Sequence, residues 1–448
     1  MIASTIKIIL FFLAAGLPLL INPFAVNSVE LIKRQSAYAL VCLLAVCVLV
    51  PAPGKKHVRR YALPIAVPLF IFALSACIAT AFSINPAFSL RGDFARGESF
   101  FTLITYVLLC PVFAFCIQTF KQARDLIRAL CIAAACIALY GIIEFLCLQA
   151  FGISPLQHFR PPELRQPFIS ATMGNANFLG RFLVLVLPFF AAGAATAAGA
   201  RRALLWAGGG VLACTTLVLT YSRASMVGLA VGGLVFLALT RASGPAVRQR
   251  LILLLGTGCV LIIALGLISN MLSGAGSQAF FSTIASRAIS ALDVRQGDGL
   301  GTRLFTWQHS IPVILERPWF GHGPDTGFDA LIQVNFEKSA RFNTIAILDR
   351  IHNNYLDIAL TQGLIGLASY LAVLFLFMRG LLKTIRAPDV HPEVRMLLCG
   401  LFSGFAGCLV NDVFTFSTVS VSMTFWSLIG IGYALQSFQK GPCRHENS

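Results

Sequence analysis

Residues able to do chemistry are sparse in this chain and gather in short polar stretches between apolar runs. One stretch, Gly174-Asn175-Ala176-Asn177-Phe178-Leu179-Gly180-Arg181, brings two carboxamides and a guanidinium to the start of an apolar run. It suits hydrogen bonding to sugar hydroxyls or phosphate, and equally the capping of a helix by Asn175 or Asn177. A second, Thr220-Tyr221-Ser222-Arg223-Ala224-Ser225, sets Arg223 at the turn of a hairpin otherwise made of glycine and aliphatic residues. An arginine at membrane depth is costly, so it faces a cavity or a ligand. A third begins at Gly297-Asp298-Gly299-Leu300-Gly301 and continues as Thr302-Arg303-Leu304-Phe305-Thr306-Trp307-Gln308-His309. Arg303 and Trp307, four apart, share a helical face. Leu304, Trp307, Ile311 and Ile314 have the spacing of a helix laid along the membrane surface. There Arg303 either snorkels to headgroups or meets a ligand.

Two more stretches follow. In Glu316-Arg317-Pro318-Trp319-Phe320-Gly321-His322-Gly323-Pro324 the proline and glycines mark a turn, and His322 beside Trp319 reads as structural. In Asp349-Arg350-Ile351-His352-Asn353-Asn354-Tyr355-Leu356 an apolar helix begins. His352 at its start lies where the helix macrodipole disfavours an imidazolium. A neutral imidazole there can act as a base, or simply as a cap or surface group.

These stretches must be positioned by membrane helices. Of 448 residues 57% are hydrophobic and only 12% charged, and the mean hydropathy is +0.81. That composition excludes a water-soluble domain. Runs long enough to span a bilayer, roughly 20 residues each, lie near 6–26, 36–52, 61–83, 99–120, 129–150, 177–199, 203–221, 224–240, 251–269, 354–378, 397–414 and 416–436. The fold expected is an all-α polytopic membrane protein of about twelve transmembrane helices. Residues 1–269 would hold the first nine, 270–352 a large loop, and 353–448 the last three with a tail. Lys7 ahead of an apolar run resembles a secretory leader, but the run is long and ends in Ile21-Asn22-Pro23 with no small-x-small site, so it reads as a helix. The thirteen cysteines fall almost wholly within apolar runs and read as packing residues.

The net charge of +16 has two sources. With the amino terminus inside, every cytoplasmic loop is basic: Lys55, Lys56, Arg59 and Arg60; Lys121, Arg124 and Arg128; Arg201 and Arg202; Arg241, Arg248 and Arg250; Arg379, Lys383, Arg386 and Arg395. These cations set topology and meet anionic lipid, and both termini are then cytoplasmic. Topology does not account for the outer cations, Arg91, Arg96, Arg160, Arg165, Arg181, Arg223, Arg287, Arg295, Arg303, Arg317, Lys338, Arg341 and Arg350. They point to an anionic ligand on the outer face. Nucleic acid is a poor partner, because the inner loops are short and lack interleaved aromatics.

No P-loop, G-x-S-x-G or H-E-x-x-H motif is present, and Asp325 with Asp329 makes only a weak metal candidate. The ordered set Ser222-Arg223-Ala224, then Arg303 through Trp307 to Pro318 and Gly321-x-Gly323, then His352-Asn353, Leu356 and Gly363-Leu364-Ile365-Gly366 resembles the O-antigen ligase and polymerase family. The resemblance covers roughly residues 170–375 in motif and the whole chain in helix count. It implies a glycosyltransferase C-like fold in the bacterial inner membrane, with the large loop and the active site on the periplasmic side. It also implies metal-independent, cofactor-free, inverting transfer of a glycan from undecaprenyl diphosphate to an acceptor hydroxyl.

On that reading Arg223 and Arg303 neutralise the pyrophosphate and His352 is the general base, with Asn175, Asn177, Arg181, Trp307 and Asn353 binding substrate. The loop and helix count resemble the ligases, which use lipid A-core as acceptor. A polymerase joining repeat units is the alternative. A non-catalytic transporter of lipid-linked saccharide, with Glu144 and Asp412 as coupling sites, is the reading from another class.

Overall fold

A computed structural model describes residues 2–22, 29–49, 63–93, 97–152, 154–155, 168–241, 263–264, 267–268, 300–342 and 350–439. Among these the chain is helical and contains no strand. Helix α1 is Ile2–Phe11, prolonged through a π-helical turn Phe12–Gly16 to Leu19. Then come α2 (Val29–Leu49), α3 (Ala66–Ala81), the short α4 (Pro86–Arg91), α5 (Phe100–Cys116), α6 (Phe120–Phe151), α7 (Ala176–Thr196), α8 (Ala200–Leu219) and α9 (Arg223–Thr240). The segment ahead of the next long helix supplies α10 (Leu300–Glu316), α11 (Gly327–Ala330) and α12 (Ile332–Phe342), and the chain continues as α13 (Asn354–Arg386), α14 (Pro392–Asn411) and α15 (Val419–Gln436).

Helices α6, α7, α8, α9, α13, α14 and α15 are long and apolar enough to cross a membrane, and three shorter apolar helices accompany them. The protein is thus an all-α polytopic membrane protein. Of the expected runs, 251–269 lies outside the described residues apart from four positions, so the total of twelve rests on the sequence alone. Arg96, Arg160, Arg165, Arg287, Arg295, Asp349 and the Gly297-Asp298-Gly299 stretch also lie outside them, as do most of the 242–299 segment and the side chains of Lys338 and Arg341.

Among the described long helices, α15, α7 and α14 are the most enclosed. Nearly all of α15 is enclosed, 94% of its apolar window, whereas α9 on the flank has 33% enclosed. Phe405 of α14 and Phe425 of α15 meet at 4.6 Å between ring centroids. Helices in lipid gain nothing from hiding apolar surface from one another, so close van der Waals packing must hold them. The α9–α14 seam shows how: a Cβ on Gly407 would lie 2.4 Å from the Gly228 carbonyl oxygen, and one on Gly228 2.7 Å from that of Gly407. Large apolar side chains such as Val67, Phe70, Leu204, Leu205 and Phe375 instead point outward, each 64–70% exposed, as a bilayer-facing surface requires.

Helix boundaries depart from the apolar runs where caps extend them. Helix α6 starts nine residues before the expected 129 because the Thr119 hydroxyl accepts from Gln122 N at 3.1 Å. Helix α10 forms as expected, but its buried face carries Phe305, Thr306, Ser310 and Ile314, while Leu304 and Ile311 of the expected stripe are 42% and 48% exposed. The stripe is therefore split, Leu304 and Ile311 facing outward while Ile314 and part of Trp307 face the protein.

Candidate functional site

The site is built where α13 starts. Asn353 caps that helix, its carboxamide oxygen accepting from Tyr355 N at 3.0 Å and Leu356 N at 3.2 Å. Asp357 in the first turn accepts from Ile351 N at 2.8 Å. One residue further back, Arg350 forms a buried ion pair with Asp325, which also accepts from Asp93 N at 2.6 Å. Between these anchors His352 adopts φ 57°. The left-handed region is uncommon for a residue with a side chain, and such strain persists only where the surroundings over-determine it.

The helix behind His352 is broken and plugged. At Gly363 the backbone of α13 leaves helical geometry, with φ 72° and ψ −176°. The turn at Gly321 and Gly323 docks into the break: His322 N donates to Leu360 O at 2.8 Å, Gly323 N to Thr361 O at 3.0 Å, and Leu364 N to Pro318 O at 2.7 Å. A Cβ on Gly363 would fall 2.2 Å from the Trp319 carbonyl. The two glycine motifs are therefore halves of one joint. His322 is buried in it, with Nδ1 3.3 Å from Leu360 O. Burial lowers its pKa below the ordinary imidazole value, and the nearby Arg317 charge lowers it further.

The loop 412–418 between α14 and α15 forms the floor. Asp412 ties it to α7 through a buried ion pair with Arg181, at 2.6 Å between Nε and Oδ1 and 3.0 Å between Nη2 and Oδ2. Asn354 ties it to α13, donating from its backbone to Asp412 O at 2.9 Å and accepting from Ser417 N at 3.1 Å. Two rings project from this loop. Phe416 lies 5.2 Å from the His352 ring and 5.5 Å from Phe178. Phe414 lies 6.1 Å from Trp307, and the Arg303 guanidinium is 5.9 Å from its centroid.

Arg223 opens α9, whose amino terminus is capped by Ser222 accepting from Ser225 N at 3.4 Å. Although 80 positions separate it from Arg303 in sequence, the two are close in space. Burial, and then the positive charge of Arg223, hold the Arg303 guanidinium below its usual pKa. An arginine remains cationic at neutral pH even so. Two like charges kept together on the flank of an aromatic floor make a natural receptor for a polyanion.

Not every residue singled out from the sequence faces this site. Arg181 is 1% exposed and forms an ion pair with Asp412, as a buried charge requires. Its Nη1 has no hydrogen-bond partner, and the side chain also lines a cavity of about 40 Å³ with Asn354 and Phe416. Asn175 caps α7, accepting from Asn177 N at 2.8 Å, and Asn177 accepts from the Ser222 hydroxyl at 2.8 Å. Asn177 thus braces the turn carrying Arg223, while Asn175 holds the start of α7. The oxygen of Asn353 is taken by its cap. Trp307 remains on the floor, its indole nitrogen buried without a hydrogen-bond partner. Glu144 accepts from Ser170 N at 2.9 Å and Ala171 N at 2.7 Å, bracing the segment before α7. Asp325 is engaged by Arg350, and no group of three His, Cys, Asp or Glu side chains suited to a metal occurs among the described residues.

The sequence reading missed Phe414, Phe416, Asp325 as an anchor, and Glu98. Glu98 accepts from the Tyr106 hydroxyl at 2.5 Å on the wall of a cavity of about 40 Å³ beneath the floor. Burial raises its pKa, opposed by the charge of Arg350. The aromatic pair had one available signal, two phenylalanines inside a polar turn between apolar runs.

Fold and site together define a multi-pass membrane protein with a polar site assembled from helix ends and the segment that carries α10. Residues 208–371, which include Arg223, Arg303, Trp307, His352 and the Gly363 break, match the family model described as O-antigen ligase. The family resemblance of the motifs is met over the segment that contains them. The chain is 26% identical over 344 residues to the exopolysaccharide production protein ExoQ of Rhizobium meliloti, covering 73% of this chain and 68% of that one. It is also 26% identical over 212 residues to an uncharacterized protein of Haemophilus influenzae, covering 47% of this chain and 50% of the other. The chain thus spans only half the length of that second relative.

Proposed function

We propose that the protein transfers a glycan from a polyprenyl diphosphate, undecaprenyl diphosphate in bacteria, to an acceptor hydroxyl at the outer face of the inner membrane. Acting as a ligase, it would use lipid A-core as acceptor. The observation that carries the reading is the pairing of Arg223 with Arg303 beside the floor that also supports His352. The basic inner loops support an orientation with both termini cytoplasmic.

In the reaction the acceptor oxygen attacks the anomeric carbon while the bond from that carbon to the diphosphate oxygen breaks. The electron pair leaves with the diphosphate, whose charge Arg223 and Arg303 stabilise by charge-assisted contacts. The acceptor proton passes to the His352 imidazole. Attack opposite the leaving group inverts the anomeric centre. A polyanion held between the two guanidinium groups offsets their mutual repulsion.

A polymerase is the second reading, favoured by the similarity to ExoQ, whose name refers to exopolysaccharide production. The test is to incubate purified protein with lipid-linked glycan, with and without lipid A-core. Product requiring lipid A-core supports the ligase, and product from donor alone makes it a polymerase. A protein that carries donor across vesicles without releasing undecaprenyl diphosphate is a transporter, and the proposal fails.

A further inference from the structure

The helices that bring His352 to one end of the bundle bring a second group of cations to the other. Helix α13 has 33 residues and runs from the site at Asn354 to Arg386, about 35 Å of it lying beyond the break at Gly363 at 1.5 Å per residue. Around Arg386 lies an open cavity of about 940 Å³, lined also by the starts of α6, α8 and α14. Five arginines line it, Arg124, Arg128, Arg202, Arg386 and Arg395, against one carboxylate, Glu393.

Three of these arginines are engaged. Arg124 lies 3.4 Å from Glu393, Arg128 lies 3.2 Å from Asp125, and Arg395 donates to the carbonyls of Ala387 at 2.8 Å and Pro388 at 3.0 Å. Arg202 and Arg386 are exposed and have no acidic partner among the described residues. His391 on the same wall has its Nδ1 buried without a hydrogen-bond partner.

Apart from Thr196, the rest of the wall is apolar, formed by residues such as Trp206, Leu239 and Met396. Trp206 is held by an edge contact to Phe190 at 6.1 Å, and it fits only because position 193 is glycine: a Cβ there would lie 2.3 Å from the indole. Cations beside an apolar wall fit an amphiphile with an anionic head better than a free anion, which could use only the cations. A guanidinium binds a phosphate diester through two parallel contacts.

We propose that this cavity binds the phosphate headgroup of an anionic glycerophospholipid, gripped by Arg202 and Arg386, with the start of its acyl chains along the Trp206 wall. This site is independent of glycosyl transfer, and its binding is read directly, so either proposal can fail without the other.

The experiment titrates the purified full-length protein in neutral detergent with dioleoyl-phosphatidylglycerol and, separately, dioleoyl-phosphatidylcholine, counting bound lipid by native mass spectrometry. Phosphatidylglycerol should bind more tightly, and the preference should shrink with added salt. Arg202→Gln and Arg386→Gln should each weaken it about fivefold and the double variant about twenty-five-fold. Arg201→Gln, just outside the cavity, should leave it unchanged. Equal binding of the two lipids, or a double variant that binds like the wild type, overturns the proposal. Displacement of phosphatidylglycerol by millimolar inorganic phosphate also overturns it, assigning the cavity to a soluble anion.

Discussion

Removing one partner of the Arg181–Asp412 pair tests whether Arg181 supports the floor or touches substrate. Arg181→Met leaves the Asp412 carboxylate enclosed and without its cation. The two groups are 2.6 Å apart, with side chains 2% and 0% exposed. At a charge-centre separation of about 4 Å and an effective dielectric near 20, the attraction is about 4 kcal/mol. Breaking a buried pair costs about 3–5 kcal/mol, because the remaining charge is stranded. Replacing both partners, in Arg181→Met with Asp412→Leu, strands nothing and should be less destabilising than either single change. Unfolding of the detergent-solubilised protein in sodium dodecyl sulfate, followed by tryptophan fluorescence, measures all four corners of the cycle. If Arg181→Met is within about 1 kcal/mol of wild type, or if the two changes simply add, the pair does not hold the floor. A stable Arg181→Met protein with weakened donor binding would return Arg181 to the substrate.

Four further outcomes are expected. Arg223→Ala and Arg303→Ala should each lose most turnover while remaining folded, Lys should only partly replace either, and the double variant should be little worse than a single one because the residues act on one diphosphate. Wild-type turnover in either alanine variant removes that residue from the reaction. His352→Ala should lower turnover about a hundred- to ten-thousand-fold with donor binding nearly intact; loss of donor binding in step with turnover would instead make it a positioning group. Turnover should persist in EDTA, and its abolition with rescue by magnesium would falsify the arginine-only scheme. Burial lowers the folded pKa of His322, so the unfolded chain binds its proton first and folding stability falls as pH drops below about 6.5. Thermal melts at pH 5.5 and 7.5 should therefore show a smaller acid loss in His322→Gln than in wild type, and an equal loss would place the acid-sensitive group elsewhere.

Some of this protein could be read without coordinates. Bilayer thickness and the demand that every backbone group be paired in lipid make an apolar run of about 20 residues nearly synonymous with a helix, so α6 to α9 and α13 to α15 were legible. Arg223, Arg303 and His352 could be singled out as polar residues beside apolar runs, but in sequence Arg303 reads equally as a snorkelling cation and His352 as a cap or surface group. Two glycine motifs also stood out, although nothing in their order said that Gly321 and Gly323 dock onto Gly363. That contact is a backbone approach 40 residues apart, specified by the absence of side chains and visible only once α13 breaks. Tertiary structure likewise decided what Arg181 does. Its environment is set by Asp412, 231 positions away, and a cation looks the same in sequence whether it awaits a ligand or is already paired. The aromatic floor of Phe414 and Phe416 was hidden for a related reason: phenylalanine is common in a membrane chain, and only the fold shows which rings meet an imidazole or a guanidinium and which meet lipid.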